Sequence, residues 1–321
     1  MATYRLGSSG DEVRQIQVRL QALGLYRGPI DGAFGGGTEA AVKAFQQNTG
    51  LEVDGAVGPI TWHALFNAKI PAPSLFTKPL AYRCLALTGA FETNSGFPDC
   101  FAGLSGDFDG QGISFGVCQW NFGQGSLQPL LKDMIVQHPD IVQSIFREQL
   151  GVLAAALNAG KRELMGFAAS IQQPVRHTIN EPWRGMFKSL ARTQECQAIQ
   201  QKYAATLYQS ALGLCSDFGL WSQRAVALMF DIKVQNGSIR DLTKARILAD
   251  FASLAPSLPR EALEVEKMKI IANRRAEAAN PRWVEDVRTR KLCIAKGEGV
   301  VHGIRYNLDE QFGISLTKQG G

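Results

Sequence analysis

Residues 1–67 combine apolar positions at helical spacing with glycine-rich turns. A helix is predicted from Gly10-Asp11 to Gly24, because its apolar residues recur three and four positions apart. These residues are Val13, Ile16, Leu20 and Leu23. A second helix is predicted with Thr38 as its cap and Gly50 at its end, and a third begins at Pro59. The three short helices predict a small first domain.

A short sequence repeat lies in this domain: Asp31-Gly32-Ala33-Phe34-Gly35 returns as Asp54-Gly55-Ala56-Val57-Gly58. Leu-x-x-Leu-Gly, the Ala-Val-x-x-Phe-Gln helix and Val-Asp-Gly-x-Val-Gly-Pro-x-Thr-Trp complete a pattern that spans Tyr4 to Phe66. This pattern resembles the three-helix type of peptidoglycan-binding domain. The resemblance implies a wall anchor that raises the local concentration of an attached hydrolase. No single wall-contacting residue is predicted, because Asp-Gly units fix turns and aromatic side chains fill small cores.

The rest of the chain is predominantly helical in pattern. Residues 68–79 contain three prolines among small residues and are predicted to be a linker. Beyond them, short strands are expected first of all at the Gly106–Cys118 segment. Apolar residues three and four apart predict helices at Leu127–Val136, Ile141–Leu157, Glu195–Leu212, Gln223–Gln235, Arg240–Leu254 and Glu261–Ala279. We therefore predict a mainly α protein with a three-helix domain at 1–67, a linker at 68–79 and a larger α domain at 80–321 that carries a short β segment near its active site.

Composition narrows the class of protein. The chain has 321 residues, 45% hydrophobic and 20% charged, which suits two globular domains. No apolar run approaches the length of a membrane span. The amino terminus lacks the basic and apolar regions of a signal peptide, so export by that route is not expected.

Neither a metal nor another cofactor is predicted. The four histidines form no zinc-binding pattern, and the six cysteines show no Cys-x-x-Cys spacing. The cysteines are expected to be buried reduced thiols, with a Cys100–Cys118 disulfide as the alternative in an oxidising compartment. No segment resembles a nucleic-acid-binding module, and a monomer is expected.

The positive charge lies mainly in the larger domain. Net charge is +5, whereas residues 1–70 carry six basic and six acidic side chains. A mildly basic enzyme suits an anionic polymer such as peptidoglycan. The segment Lys267–Lys291 carries eight basic and three acidic residues, which indicates either transient contact with an anionic membrane or the solvated face of a packed helix. Arg274 and Arg275 are also candidates to contact a catalytic carboxylate.

The strongest catalytic candidates are two carboxylates in the segment Phe91–Trp120. Glu92 follows the apolar run Leu85–Phe91, so it is expected at a helix end beside apolar surface, which favours the protonated carboxyl group. Asp109 follows in a glycine-rich segment that should keep it solvated and ionised. An acid for the leaving oxygen and a base for the attacking water are what glycosidic bond cleavage requires. The alternative is that Asp109 only opens an Asp-Gly turn.

Two family resemblances fall on this segment. Asp109-Gly110-Gln111-Gly112-Ile113-Ser114, with Glu92 upstream, resembles the Asp-Gly-x-Gly-x-Thr segment of family 46 chitosanases. That resemblance implies Glu92 as general acid, Asp109 as general base and Ser114, in place of threonine, as the group that orients water. Glu92 with Ser95, followed by Gly116-Val117-Cys118-Gln119, also resembles the pattern of lytic transglycosylases and goose-type lysozymes. This second resemblance leaves Asp109 without a role, because the transglycosylases have no second carboxylate. Both resemblances imply a lysozyme-like α fold.

Three further residues are predicted to bind substrate. Gln119 and Trp120 would line sugar subsites, where an indole face can stack on a pyranose ring; core packing is the alternative for Trp120. Asp231 is predicted near the end of an apolar helix, as a substrate contact or as the partner of an arginine in the cleft. Helix capping with an internal hydrogen bond is its alternative.

The sequence thus predicts a muramidase that binds peptidoglycan and cleaves its β-1,4 glycan. The order of the domains resembles that of modular phage endolysins, which implies accumulation in the host cytoplasm and action on the wall in the periplasm after another protein opens the membrane. A lytic transglycosylase that uses Glu92 alone is the first alternative. A chitosanase and a non-catalytic wall-binding protein are further alternatives.

Overall fold

The computed structural model describes residues 3–318. The chain is mainly helical and has a few short strands, as the sequence predicts. It divides into two compact units. The first contains the chain up to Phe91, Gly96–Pro98 and the chain from Leu207 onward; the second contains Glu92–Ser95 and Asp99–Thr206. Within the described residues, no helix is both long enough and apolar enough to cross a membrane.

The first unit begins with three helices, α1 (Asp11–Ala22), α2 (Gly36–Thr49) and α3 (Pro59–Phe66). Their inward faces share one apolar core that includes Tyr4, Val13, Ile16, Leu20, Phe34, Val42, Phe45, Val57, Trp62 and Leu65. Gly35, not Thr38, precedes α2 as its N-cap. Thr38 lies inside the helix and is buried at 1% exposure. The prediction of Thr38 as the cap was therefore wrong, because its hydroxyl has another partner.

That partner is Gln17 of α1, which is fully buried. The Gln17 Nε2 group lies 3.3 Å from Thr38 Oγ1 and donates to Asp31 Oδ1 at 2.7 Å and to the Ala33 carbonyl at 3.0 Å. Gln17 Oε1 accepts from the Gly32 N–H at 2.8 Å. One amide side chain therefore holds the whole Asp-Gly-Ala turn.

Gln46 of α2 does the same for the second copy of the turn. Its Nε2 donates to Asp54 Oδ1 at 2.7 Å and to the Ala56 carbonyl at 2.9 Å, and its Oε1 accepts from the Gly55 N–H at 2.9 Å. Thr61 Oγ1 lies 3.3 Å from the same nitrogen. We call each set of contacts a glutamine clasp. The sequence repeat is therefore a structural repeat.

The segment predicted as a linker has defined structure. Ser74–Thr77 forms a short 3₁₀ helix, and Leu75 within it is buried. The Ser74 N–H donates to Glu12 Oε1 at 2.9 Å, and the Tyr4 hydroxyl donates to the Pro71 carbonyl at 3.0 Å. These bonds hold residues 71–74 against the three-helix region.

The remainder of the first unit is helical apart from one hairpin. Helices α4 (Leu80–Thr93) and α10 (Gln194–Asp217) each contribute residues to both units. The other elements of this unit are α11 (Gln223–Asn236), α12 (Asp241–Ala252), α13 (Arg260–Glu277), α14 (Val284–Lys296), β4 (Glu298–Val301), β5 (Ile304–Asn307) and α15 (Leu308–Phe312). Strands β4 and β5 pair antiparallel with Glu298 opposite Asn307.

The second unit places a small antiparallel sheet before a series of helices. Its elements are β1 (Leu104–Ser105), β2 (Ser114–Phe115), β3 (Trp120–Asn121), α5 (Leu127–Gln137), α6 (Pro139–Phe146), α7 (Leu150–Asn158), α8 (Lys161–Ser170) and α9 (Trp183–Arg192). The strand order is β1-β2-β3. The predicted helix at Ile141–Leu157 is divided, because Arg147 has a positive φ of 48° that interrupts the helical path.

The basic segment Lys267–Lys291 is not one helix. The turn at Asn280-Pro281 separates α13 from α14, since proline lacks the N–H that a helix interior needs. Arg274 pairs with Asp250 and Glu277 instead of with a catalytic carboxylate. The membrane contact stays a prediction.

Candidate active site

Glu92 lies in the last turn of α4. The preceding residues from Cys84 to Phe91 are buried, whereas Glu92 is half-buried. The chain then turns at Asn94, which has a positive φ of 51°. Ser95 stabilises this turn, because its N–H donates to Thr93 Oγ1 at 3.3 Å. A helix end with a half-buried carboxyl group is the position that the sequence predicted for the acid.

The end of α4 lies against the chain that leads into the sheet. A Cβ atom at Gly103 would lie 2.4 Å from Thr93 Cγ2, 2.7 Å from Gln119 Nε2 and 3.1 Å from the Gly116 carbonyl oxygen. The first two distances are below ordinary contacts, so a side chain at position 103 would displace Thr93 or Gln119. Gly103 therefore lies close to both the residue after Glu92 and the side chain of Gln119.

Ser114 and Gln119 belong to the sheet region. Ser114 is half-buried on the middle strand, β2, with Ser105 and Asn121 opposite it on the two neighbouring strands. Gln119 has a positive φ of 51°. Its Oε1 accepts from Ser105 Oγ at 2.8 Å, and its Nε2 donates to the Gly116 carbonyl at 2.9 Å. The Gln119 amide is therefore held in one orientation.

A buried glutamine supports the sheet region from α10. Gln200 Oε1 accepts from the Val117 N–H at 2.8 Å, and its Nε2 donates to the Phe101 carbonyl at 3.2 Å. A Cβ at Gly116 would lie 2.6 Å from Gln200 Oε1, and Gly116 has a positive φ of 80°. Gln200 thus fixes the backbone on both sides of the segment that carries the candidate residues.

Asp109 lies at the exposed tip of the loop between β1 and β2. Its Oδ1 accepts from the Gln111 N–H at 3.2 Å, the contact of an Asp-initiated turn. Gly110 and Gly112 both have a φ of 80°, in the left-handed region that favours glycine. The backbone conformation therefore favours glycine at both positions of the Asp-Gly-x-Gly motif.

Asp107 is the residue that holds this loop in shape, and the sequence analysis did not identify it. Its Oδ1 accepts from the Gly112 N–H at 2.8 Å, and its own N–H donates to Gln172 Oε1 at 2.7 Å. The backbone approach is close, because a Cβ at Gly106 would lie 1.7 Å from the His177 carbonyl oxygen. Gln172 and His177 lie far along the sequence, so no local motif reveals their contribution.

Phe108 is an exposed aromatic residue next to Asp109. Its side chain is 69% exposed, and its ring packs edge-on against His177 with centroids 5.4 Å apart. An exposed phenyl ring supported on one side offers a flat apolar surface that a pyranose ring can contact. In Asp107-Phe108-Asp109 only the second carboxylate belongs to the Asp-Gly-x-Gly motif, so the sequence did not identify Phe108.

Trp120 and Asp231, the other two predicted substrate contacts, are both buried. Trp120 on β3 is 8% exposed and pairs with Phe115, so its role as a subsite stays a prediction. Asp231 lies in the first unit with no exposed surface. A fully buried carboxylate cannot touch a sugar, so the structure assigns Asp231 an internal role instead of a substrate contact.

That role is ion pairing. Arg290 Nη2 lies 2.6 Å from Asp231 Oδ1, Lys291 Nζ donates to Asp231 Oδ2, and the Thr88 hydroxyl donates to Asp231 Oδ1 at 3.1 Å. Burial by itself raises the pKa of Asp231, but the charges and hydrogen bonds of Arg290 and Lys291 outweigh it and hold the pKa below its ordinary value. Asp231 is therefore ionised inside the core.

The cysteines offer no reactive thiolate at the buried positions. Cys100 and Cys118 are not joined by a disulfide. Burial raises the pKa of Cys196 to about 12, and burial also raises the pKa of Cys84 and Cys100. Within the described residues, no cluster of histidine, cysteine and carboxylate side chains is suited to hold a metal ion.

Comparison with known proteins identifies part of the chain. The family model described as a putative peptidoglycan binding domain matches residues 9–65. The spore cortex-lytic enzyme of Halalkalibacterium halodurans is 38% identical over 92 residues, which cover 29% of this chain and 26% of that protein. The N-acetylmuramoyl-L-alanine amidase CwlM of Mycobacterium tuberculosis is 41% identical over 76 residues, covering 20% of this chain and 19% of that protein.

These curated relatives share only about a quarter or less of their own length with this chain.

Among solved structures, a chitosanase complex aligns with 70% of this chain and 94% of its own, at 15% identity and a TM-score of 0.47. Residues 9–65 thus form a domain of the putative peptidoglycan binding family.

Proposed function

We propose that the protein hydrolyses the β-1,4-linked glycan of bacterial peptidoglycan. The observation that carries this proposal is the peptidoglycan-binding domain at residues 9–65, joined to a unit that carries Glu92 at a helix end and Asp109 on a glycine-rich loop. The net charge of +5 also suits an anionic polymer.

In the proposed reaction, Glu92 donates a proton to the glycosidic oxygen as the bond to the leaving sugar breaks. Asp109 accepts a proton from a water molecule that attacks the anomeric carbon from the opposite face, and Ser114 orients that water. This inverting mechanism requires room for the water, with the two carboxyl groups roughly 6.5–9.5 Å apart in the reactive complex. Gln119 and Phe108 would contact the sugar rings.

A lytic transglycosylase is the second candidate, and one contact favours it. Asp109 Oδ1 accepts from the Gln111 N–H, which is the bond expected if Asp109 serves only the turn. In that case Glu92 acts alone as acid and base, and the product carries an anhydro-muramic end. A chitosanase and a non-catalytic wall-binding protein remain the further alternatives.

Mass spectrometry of soluble products from purified peptidoglycan separates these reactions. Muramic ends that borohydride reduces are expected for hydrolysis, whereas anhydro-muramic ends that resist reduction would replace it with transglycosylation. Release of stem peptides without new glycan ends would overturn glycan cleavage of either kind. If the intact protein releases no soluble product, the non-catalytic alternative is favoured. Products from polyglucosamine but not from peptidoglycan would favour the chitosanase.

Variants locate the chemistry. Glu92→Gln should lower the rate by about 10²–10⁴-fold, because general acid catalysis typically contributes that much. Glu148→Gln removes an exposed carboxylate from the same unit and should leave the rate unchanged. Ser114→Thr keeps the hydroxyl and should retain activity that Ser114→Ala loses. An active Glu92→Gln enzyme would refute the assignment of the acid.

A further inference from the structure

The two halves of the peptidoglycan-binding domain share the glutamine clasp but differ in what lies between helix and turn. Fourteen positions separate Gln17 from Asp31, whereas eight separate Gln46 from Asp54. The loop after α1 occupies residues 23–30, and the loop after α2 occupies only residues 50–53. Because the clasps are equivalent, the extra length in the first half is not needed to hold its turn.

The longer loop forms one side of a groove. The groove has a volume of about 530 Å³ and lies between residues 25–29 and the beginning of α2. Tyr26, Arg27 and Pro29 line the loop side, while Gly35, Gly37 and Ala41 line the helix side. The additional residues of the first half therefore build a concave surface.

Glycines keep this groove open around Tyr26. The Tyr26 ring is 7% exposed, and its hydroxyl donates to the Pro29 carbonyl at 2.9 Å, which fixes the ring. A Cβ at Gly28 would lie 2.5 Å from the Tyr26 hydroxyl, and one at Gly37 would lie 3.6 Å from Tyr26 Cε2. The ring is therefore a rigid apolar floor with small residues on both sides.

The groove offers a ligand one exposed cation and several backbone N–H donors. Arg27 is exposed on the loop. Asp31 also lines the groove, but its Oδ1 is engaged by Gln17 and by the Ala33 N–H. Arg14 donates to the Asp31 backbone carbonyl at 3.3 Å. The first N–H groups of α2 add donors, because no side chain caps this helix.

We propose that this groove binds the carboxylate-bearing stem peptide of peptidoglycan. The carboxylate would bind Arg27 and the first N–H groups of α2, and a small side chain such as that of alanine would pack on Tyr26. The inference depends on the proposed function only in taking peptidoglycan as the polymer that the protein encounters. The first half of the domain, with the turn at Asp31, would then contact the wall, and the second half, with the turn at Asp54, would have a structural role.

Neighbouring glycines provide a matched test in the full-length protein. Gly37→Leu fills the groove. Gly36→Leu adds the same side chain one residue earlier, at a position that does not line the groove and where a Cβ meets nothing within 4 Å. Both replace glycine in a helix, so both should fold at least as stably as the wild type. In sedimentation with purified sacculi on ice, Gly37→Leu should bind about tenfold more weakly than the wild type. Gly36→Leu should bind as the wild type does.

A second pair of variants tests the charge. Arg27→Gln should weaken sacculus binding. Lys43→Gln removes an equal charge from an exposed position of the same domain that does not line the groove, so it should leave sacculus binding unchanged. Sacculi stripped of stem peptides by an amidase should bind the wild type as weakly as untreated sacculi bind Gly37→Leu.

The outcomes separate this inference from the proposed reaction. Equal binding of Gly36→Leu and Gly37→Leu, or undiminished binding to stripped glycan, would overturn the groove as a stem-peptide site even if glycan cleavage is normal. Wild-type protein that does not sediment with sacculi would overturn it as well. The products released from peptidoglycan decide the reaction independently of either result.

Discussion

The buried carboxylate of Asp231 supports a quantitative prediction about stability. It is the counter-charge of two cations, Arg290 and Lys291, whose side chains are 2% and 0% exposed. Asp231→Asn removes the negative charge with little change in volume and turns an amide nitrogen or a weaker acceptor toward the cations. The Arg290 and Lys291 charges then lose the carboxylate that compensates for their burial.

The expected cost is large because the cations cannot easily be hydrated in place. Removing one partner of a buried ion pair typically costs about 3–5 kcal/mol. For domains of about 150–250 residues, each kcal/mol lowers Tm by about 2–4 °C. A central value of about 4 kcal/mol therefore corresponds to a fall in Tm of about 12 °C.

A second Arg–Asp pair in the same unit provides the control. Arg274 contacts both oxygens of Asp250, at 2.6 and 3.0 Å, but these side chains are 33% and 30% exposed. Water replaces the lost partner in Asp250→Asn, so its Tm should fall much less. Thermal unfolding followed by circular dichroism and calorimetry measures both variants. Adding Lys291→Met to Asp231→Asn should restore part of the loss, because one buried charge is removed.

Equal falls in Tm for Asp231→Asn and Asp250→Asn would refute this reasoning. The same reasoning sets a pH dependence. The folded pKa of Asp231 lies below its ordinary value, so its contribution to stability is present above the unfolded pKa of about 3.9 and is lost as the pH falls through the folded pKa. Wild-type Tm should therefore fall below about pH 4, and the fall should be smaller in Asp231→Asn.

Five further variants test the turn held by Gln46 and the loop that carries Asp109. Gln46→Leu should lower the free energy of unfolding by about 2–4 kcal/mol in urea titrations, because the turn loses partners for buried backbone groups; a loss below about 1 kcal/mol would contradict the clasp. Gly106→Ala should abolish activity, because its Cβ meets the His177 carbonyl oxygen. Gly110→Ala is its control: the Cβ lies in open space, so the variant should lose only about 1–2 kcal/mol of stability. Phe108→Ala should raise KM for peptidoglycan with little change in kcat, and Phe108→Trp should restore KM; a fall in kcat alone would indicate a structural role.

The sequence predicted the features that local patterns encode. The three helices at the amino terminus were correctly predicted apart from the start of the second, because apolar spacing, Pro59 and the terminal glycines are local signals. The mainly α class was also correct. Glu92 was expected at a helix end, and the structure places it in the last turn of α4.

Features that depend on distant partners could not be predicted. The helix predicted at Ile141–Leu157 is interrupted at Arg147, where the apolar spacing continues across the break. An arginine partner was among the expectations for Asp231, but no local pattern shows that this arginine is Arg290, about sixty positions later, or that Lys291 joins it. The loop around Asp109 likewise depends on Gln172, which is 65 residues from Asp107 in sequence.

The glutamine clasp has a consequence for the conditions under which the domain folds. Small domains commonly fix their loops with disulfides, which require an oxidising compartment, or with bound ions, which chelators remove. Gln17 and Gln46 fix both turns with neutral amides, whose hydrogen bonds depend on neither redox potential nor free metal. The domain should therefore hold the same turns in dithiothreitol and in EDTA as in oxidising buffer.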